Sequence, residues 1–163
     1  MSMTEKQIQG VIRSSKTSEW ETPQDFFNMY NEIFHFTLDA ASTDQNAKCA
    51  NHFTKKDNAL LKNWGGQIVW LNPPYGKEIG KWVKKALEES KKPNTTVVCL
   101  LPARTDTIWF HDYCTQGKII FIKGRLKFGG SKWNAPFPNM VVIFGDYHGL
   151  EQHIPSRTQS ELG

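Results

Sequence analysis

A run of four residues, Asn72, Pro73, Pro74 and Tyr75, combines groups suited to holding an amine. The exocyclic amino group of a purine is a poor nucleophile, because its lone pair is delocalised into the ring. The Asn72 side-chain oxygen and the Pro73 carbonyl could accept its two N–H bonds and turn the lone pair outward. Tyr75 offers a ring for stacking, and the prolines stiffen the backbone. The alternative is a plain proline-rich turn with a packed tyrosine; the full run favours amino-group chemistry.

The residues around this run predict where it lies in the fold. Ile68–Leu71 is a short apolar run, and the prolines after it cannot pair inside a sheet, so it predicts a buried strand that ends abruptly. A second apolar run, Thr95–Leu101, predicts another strand, followed by a loop with Arg104. Ligands bind at the carboxyl edge of open α/β sheets. Arg104 at that edge could bind phosphate or pair with Asp106.

Other patterns predict the remaining elements. Thr22 is expected to cap a helix with Pro23 in its first turn, and apolar residues at helical spacing extend it to about His35. Further helices are expected from about Ile79 to Lys92 and from Thr107 to Cys114. The remaining predicted strands are Phe36–Ser42, Lys118–Ile122 with a continuation over Gly124–Phe128, and Asn139–Phe144.

This alternation of strands and helices predicts an α/β fold with a doubly wound sheet. The sheet should be mostly parallel with a late antiparallel hairpin, and helices should cover both faces. With 163 residues the chain is long enough for one domain. We expect a polar arm over residues 1–18, the domain over 19–146 and a polar tail over 147–163.

Composition limits the environment and the partners. Hydrophobic content of 39% is ordinary for a globular protein, and the sequence contains neither a membrane-span run nor a signal-peptide core. Three cysteines provide no disulfide framework, which favours a reducing cytoplasm.

A basic block extends from Tyr113 to Gly145, where no acidic residue occurs. Basic and aromatic residues alternating in this way suit a polyanion with stackable bases. The alternative is a set of solvated lysines that flank core strands. The basic members are Lys118, Lys123, Arg125, Lys127 and Lys132, and the aromatic members are Phe121, Phe128, Trp133 and Phe137.

Three further positions could bind a small molecule. The helix that begins at Thr22 and Pro23 could accept a carboxylate such as that of methionine at its N-terminus. Asp39, at the end of a predicted strand, could bind an α-amino group or cap a turn. Asp57 could accept an adenine amino group or simply be a solvated loop carboxylate.

Two pairs have zinc-like spacing, Cys49 with His52 and His111 with Cys114. The pairs lie far apart in sequence, and His111 and Cys114 fall on a predicted helix, so separate structural roles are favoured and no metal site is predicted. No glycine-rich loop follows the strand that carries Asp39, which argues against a cofactor held through a pyrophosphate.

The ordered motifs resemble the phage and prophage family of DNA N-6-adenine methyltransferases. The resemblance covers about Trp20 to Phe144 and rests on the blocks WETPQDFF, FTLDAAS, Asp57 to Trp64, VWLNPPYG, LLPARTDTIWFH, KGRLKF and APFPNMVVIF. It implies a Rossmann-like methyltransferase fold with S-adenosylmethionine as methyl donor. The departure is Asp-Ala-Ala-Ser, where many methyltransferases have a glycine-rich turn.

The resemblance also implies roles for individual residues. Asn72, Pro73, Pro74 and Tyr75 match the catalytic run. The expected cofactor contacts are Trp20, Thr22, Pro23, Asp39, Ala40 and Asp57. With double-stranded DNA as the substrate, the basic and aromatic residues described above become the expected DNA contacts: Arg104, Lys123, Arg125, Lys127, Phe128 and Lys132. Phe128 or Trp133 would help Tyr75 to stack on a flipped adenine. No membrane and no obligatory protein partner are expected, and a phage-encoded enzyme would act in the host cytoplasm.

The same four-residue run also occurs in enzymes that methylate cytosine N4 or the side-chain amide of glutamine. Methylation of RNA or of a protein glutamine is therefore the rival enzymatic interpretation, and the basic block favours nucleic acid. A catalytically silent DNA-binding or antirestriction protein of the same fold is the non-enzymatic alternative.

Overall fold

A computed structural model of the protein describes residues 20–130, 134–155 and 158–159. The predicted arm over residues 1–18, the basic Lys132 and the aromatic Trp133 lie outside the described residues. In chain order the elements are α1 (Gln24–Phe34), β1 (Leu38–Asp39), β2 (Ile68–Leu71), α2 (Ile79–Ser90), β3 (Thr96–Pro102), α3 (Ile108–Asp112), β4 (Lys118–Lys123), β5 (Asn139–Gly145) and β6 (Thr158–Gln159).

These strands form a sheet in the order β1-β2-β3-β5-β4-β6. β1, β2 and β3 are parallel, whereas β5 pairs antiparallel with both β3 and β4. Because β5 opposes both neighbours, β4 points in the same direction as β1 to β3. The predicted α/β fold, largely parallel with a late antiparallel hairpin, is confirmed. The carboxyl ends of β1, β2, β3 and β4 therefore lie at one edge of the sheet, called the carboxyl edge below.

Helices cover both faces of the sheet, as expected from the alternation of elements. α1 packs its aromatic residues against Trp70, Val98 and Leu100 on one face. α2 and α3 pack against Val69, Val97 and neighbouring residues on the other. Successive strand residues point to opposite faces, so the fully apolar strands β2 and β3 contribute to both core clusters.

Three element boundaries differ from the prediction. Pro23, with ψ 133°, precedes α1, so Thr22 is not its N-cap, and no side chain caps this helix. The strand expected over Phe36–Ser42 is limited to two residues. β4 ends at Lys123 because Gly124 adopts a left-handed φ of 86°, so the continuation over Gly124–Phe128 is wrong.

The segment after Asp146 packs on the domain. Ile154 is buried in the core cluster on the α1 side of the sheet, after a short 3-10 helix over Glu151–His153. Further on, β6 pairs parallel with the end of β4.

Candidate active site

The carboxyl edge gathers most of the predicted site residues. Asp39 ends β1, Asn72 follows β2 directly, and Arg104 follows β3. The loop with Arg125 and Lys127 follows β4 at the same edge. Residues separated by up to 88 positions in sequence are thus brought to one side of the sheet by the strand directions alone.

Asn72 has its amide group fixed in orientation by the segment that precedes α1. Its Nδ2 donates to the Trp20 carbonyl and to the Thr22 hydroxyl oxygen, the latter at 3.0 Å. A carbonyl can only accept, so the amino half of the amide must face Trp20 and the oxygen must point elsewhere. That Oδ1 is buried and has no hydrogen-bond partner among the described residues. A buried acceptor held in this state is suited to receive an N–H from a ligand.

Thr22 therefore has a different place from the predicted one. It is 4% exposed, and its hydroxyl accepts from Asn72 instead of from the helix backbone. The local pattern of Thr-Pro before a helix predicts a cap, but the tertiary contact with the end of β2 takes its side chain.

Tyr75, the last residue of the four-residue run, folds back onto β3. Its hydroxyl donates to the Leu100 carbonyl at 3.0 Å, and Asn139 Nδ2 lies 3.4 Å from the same oxygen. Burial of the hydroxyl raises the pKa of Tyr75 well above its ordinary value. The residue stays protonated at physiological pH, so it contributes a ring and a hydrogen bond but no acid or base.

Four rings surround this end of the run and are called the aromatic cluster: Trp20, Tyr75, Phe128 and Phe137. Trp20 packs edge-on against Phe128 and Phe137, with ring centroids 5.5 and 5.3 Å apart. Tyr75 contacts the same two rings at 6.2 and 5.5 Å. Phe128 is only 3% exposed, so the structure places this predicted DNA contact in the interior.

Asp39 is a carboxylate held inside the protein. It is 3% exposed, and it accepts from the backbone N–H of Lys48 at 2.9 Å and of Ala41 at 3.3 Å. Burial raises the pKa of Asp39 from 3.8 to about 6, although the two N–H groups oppose the shift. A cationic ligand group would restore the favourable ionised form.

Two cavities lie at the end of β1, one lined by Asp39 and the other by the residues that follow it. The first, the small cavity, has about 20 Å³ and is lined by Thr22, Asp39 and Asn72 among others. The second, the cleft, has about 570 Å³ and is lined by Ala40, Ala41 and Pro74 among others. Ala41 lines both, so the two cavities lie next to each other at this residue. The cleft falls in the range of roughly 300–1,000 Å³ typical of small-molecule sites.

Several residues that line the cleft are not among those predicted from the sequence. Most of its remaining lining comes from the polar stretch after β1 and the stretch around Phe53, and Trp82 of α2 also lines it. The available signal was the position of Ser42, Thr43, Asp44 and Gln45 directly after a strand, at the edge where ligands bind. Trp82 gave no such signal, since it fits the apolar face of α2 equally well.

Pro23 and Asp57 do not line either cavity. Asp57 is exposed, and its carboxylate accepts from the Thr54 N–H at 2.7 Å and the Thr54 hydroxyl at 3.1 Å. The Thr54 N–H lowers the pKa of Asp57. Its neighbours Thr54 and Asn58 do border the cleft, so Asp57 shapes the wall through Thr54.

The basic residues at the end of β4 and after it lie on the surface. Lys123, Arg125 and Lys127 are exposed, while Leu126 and Phe128 between and after them are buried. Arg104 is exposed on the neighbouring loop, with its guanidinium carbon 5.9 Å from the centre of the Phe137 ring. The carboxyl edge therefore presents cations around the aromatic cluster.

The zinc-like pairs have separate surroundings. His52 Nε2 lies 2.9 Å from Asp44, and Cys114 is buried in the core. Across the described ranges, no group of three or more His, Cys, Asp or Glu side chains is placed to hold a metal ion.

Comparison with known proteins identifies the family. Residues 9–159 match the family described as DNA N-6-adenine-methyltransferase (Dam). This chain belongs to that family. A DNA N-6-adenine-methyltransferase of Haemophilus phage HP1 (strain HP1c1) is 31% identical over an alignment of 142 residues that covers 81% of each chain. A DNA N-6-adenine-methyltransferase of Escherichia phage T1 is 36% identical over an alignment of 131 residues that covers 65% of this chain and 54% of that protein.

Membership of this methyltransferase family implies a methyl donor, and the sheet described above is consistent with a Rossmann-like methyltransferase fold. No helix in the described part of the chain has the length and apolar character required of a membrane span.

Proposed function

We propose that this member of the DNA N-6-adenine-methyltransferase family transfers a methyl group from S-adenosylmethionine to the N6 amino group of adenine in DNA. The observation that supports it most directly is the state of Asn72. The Asn72 Oδ1 atom is buried and has no hydrogen-bond partner among the described residues, and Asn72 lines the small cavity at the carboxyl edge.

The residues beside the two cavities fit the proposed methyl donor. Asp39 suits the donor's α-ammonium group, because an added cation would offset the burial that disfavours its ionised form. The cleft beside Ala40 and Ala41 is large enough for a nucleoside. Thr22 and Trp20 border the small cavity and would contact the amino-acid end. When bound, this cofactor supplies an electrophilic methyl group on a sulfonium.

The four-residue run would then hold the amine that receives the methyl group. The Asn72 Oδ1 and the Pro73 carbonyl accept its two N–H bonds, which favours a nitrogen whose lone pair is directed outward. Orientation of this kind supplies a large share of the rate enhancement in group transfer. No general base is required before attack, because the nitrogen loses its proton more easily after it becomes cationic.

Adenine N6 lies inside the stacked duplex, so we propose that the target base leaves the helix. The aromatic cluster would then provide its stacking surface, through Tyr75 and the half-buried Phe137. The exposed cations Arg104, Lys123, Arg125 and Lys127 would hold phosphates around this opening, which favours nucleic acid over a protein glutamine as substrate.

The decisive experiment is Asn72→Ala, assayed with labelled S-adenosylmethionine and unmethylated DNA. We expect methyl transfer to fall by at least about a hundredfold, as when a preorganised polar group is removed from other active sites. Calorimetry should still detect binding of the donor, since Asp39 and the cleft are intact. The matched control is Asn63→Ala, an exposed asparagine before β2, which should keep full activity.

Undiminished transfer in Asn72→Ala would refute the role of that side chain. Labelling that survives DNase treatment of the substrate would instead point to RNA or protein as the acceptor. A wild-type protein that binds DNA but not the donor would favour a catalytically silent DNA-binding protein.

A further inference from the structure

The four-residue run is held at both ends by side-chain hydrogen bonds. At its start the Asn72 amide bonds to the segment before α1. At its end the Tyr75 hydroxyl bonds to the Leu100 carbonyl on β3. The conformation of the loop therefore depends on groups outside it, and the second attachment involves a residue to which no role has been assigned, Asn139.

Asn139 occupies a place created by unequal strand lengths. β2 ends with Leu71 paired to Cys99, whereas β3 continues to Pro102. The last residues of β3 therefore have no β2 neighbour. Tyr75 hydrogen-bonds the Leu100 carbonyl, and Asn139 Nδ2 donates to the Leu101 carbonyl at 3.2 Å. Asn139 is the first residue of β5, directly opposite Pro102.

The amide of Asn139 also fixes the Tyr75 hydroxyl. Because the hydroxyl hydrogen is directed to Leu100, the oxygen lone pairs remain to accept from Asn139 Nδ2, 3.4 Å away. The hydroxyl oxygen is thereby restrained from two sides, and the ring it belongs to is restrained in the aromatic cluster. The Leu101 carbonyl fixes the orientation of the Asn139 amide itself, since it can only accept.

Packing alone does not call for an amide at this position. Asn139 is 1% exposed, and its Oδ1 is buried with no hydrogen-bond partner among the described residues. An unpaired buried oxygen is unfavourable, and the next residues of β5 are all apolar. An apolar strand-forming residue would fill the same space without this penalty, and what it would lose are the hydrogen bonds from Nδ2 to the Leu101 carbonyl and to the Tyr75 hydroxyl.

We propose that Asn139 is a positioning residue for methyl transfer, acting through the Tyr75 hydroxyl to set the ring against which the target base is held. This inference rests on the proposed function. Asn139 is buried, so it touches neither DNA nor donor, and its influence must pass through Tyr75.

The test is a double-mutant cycle with Asn139→Val and Tyr75→Phe, measured as the single-turnover rate at saturating donor and DNA. We expect Asn139→Val to slow transfer about tenfold, because small misplacements near the reacting groups slow catalysis strongly. Donor affinity should be unchanged. In the Tyr75→Phe background, which lacks the hydroxyl, Asn139→Val should have almost no further effect.

Thr96→Val is the matched control. Thr96 is a buried polar residue at the opposite end of β3, and its hydroxyl bonds to the Asp146 carbonyl. Thr96→Val should lower the melting temperature about as much as Asn139→Val does, and it should leave the rate of methyl transfer unchanged. If Asn139→Val does not fold, Asn139→Thr, which keeps a hydroxyl donor, replaces it in the same cycle and is expected to retain part of the rate.

A second measurement does not depend on activity. In protein labelled with 3-fluorotyrosine, the Tyr75 resonance is identified by its loss in Tyr75→Phe, and Asn139→Val should shift or broaden it. An unchanged resonance, an unchanged rate, or an equal slowing in both Tyr75 backgrounds would overturn the inference. A wild-type protein with no methyl transfer at all would overturn the proposed function and the positioning role with it, even where the resonance shift shows that the contact exists.

Discussion

At the scale of single residues, Asn72 shows how one side chain is prepared for a ligand by its neighbours. The amino half of its amide is fully used by Trp20 and Thr22, and the oxygen half is left buried and unpaired among the described residues. A solvated asparagine would rotate freely and offer either end of its amide. The orientation required for accepting an amine hydrogen is thus set before any substrate binds.

Asp39 is a buried residue whose charge state affects stability. Its pKa is about 6 in the folded protein against 3.8 for an ordinary aspartate. A raised carboxyl pKa means that the folded state binds the proton more tightly, so this group lowers the free energy of unfolding as pH rises between those two values.

We therefore expect Asp39 to make the ligand-free protein less stable at about pH 7.5 than at about pH 5, by on the order of 1 kcal/mol. Urea unfolding gives the free energy of unfolding of the wild type and of Asp39→Asn at both pH values. The contribution of Asp39 is the change, between the two pH values, in the difference between the two proteins. Asp39→Asn should also lose donor binding in calorimetry. If the difference in free energy of unfolding between the two proteins stays constant, or grows in favour of the wild type as pH rises, the burial argument is contradicted.

At the scale of elements, Glu89 of α2 holds the turn that leads into β2. Its carboxylate accepts from the Trp64 N–H at 2.7 Å and lies 3.3 Å from Lys85 and 2.5 Å from Lys92. Burial pushes the pKa of Glu89 upward, but Lys92, the Trp64 N–H and Lys85 together outweigh it and lower the pKa. The carboxylate is therefore ionised at neutral pH, and it ties the α2 helix to the fully buried Trp64.

Glu89→Ala should destabilise the protein by about 2–4 kcal/mol, because it leaves the Trp64 N–H and a half-buried cation without their partner. Glu88→Ala is the matched control on the same helix, since Glu88 is exposed and pairs with Lys84 at 3.8 Å. That change should cost less than about 0.5 kcal/mol. Chemical denaturation measures both, and equal losses would show that Glu89 is merely a surface charge.

At the scale of the whole molecule, the strand directions place the cations and the site on one side. Lys123, at the end of β4, and Arg125 and Lys127 beyond it lie at the carboxyl edge, whereas Lys118, at the start of β4, lies at the opposite edge. Arg104 joins the first group from the loop after β3. The distribution of positive side chains over the two edges of the sheet is thus more informative about DNA binding than the net charge of +4.

We expect the triple change Lys123→Gln, Arg125→Gln and Lys127→Gln to weaken DNA binding and to reduce the slope of log affinity against log salt by about 2–3. Lys118→Gln combined with Lys91→Gln removes exposed or half-exposed positive charge near the other edge and should change the slope little. Fluorescence anisotropy over a salt series measures both. Equal effects of the two sets would mean that binding follows net charge and not the carboxyl edge.

Much of this architecture is visible in the sequence. The apolar runs that become β2, β3 and β5 and the helical spacing of α1 and α2 are local patterns, so burial follows directly from them. The antiparallel pairing of β4 and β5 was also predicted, because two late strands follow each other without a helix. The four-residue run lies directly after β2, as expected from the prolines that end the strand.

What the sequence determined by itself is the chemistry available: an amide, two rigid prolines and a ring after a buried strand, with acids and cations elsewhere. Tertiary structure alone decided which groups meet. The hydroxyl of Thr22 bonds to Asn72 and does not cap the helix, and the amide of Asn139 lies against the Tyr75 hydroxyl. Phe128 lies in the interior, whereas Asp57 stays on the surface and bonds to Thr54. These contacts join residues up to 64 positions apart, so they depend on strand order and on where each strand ends, and no local spacing encodes either.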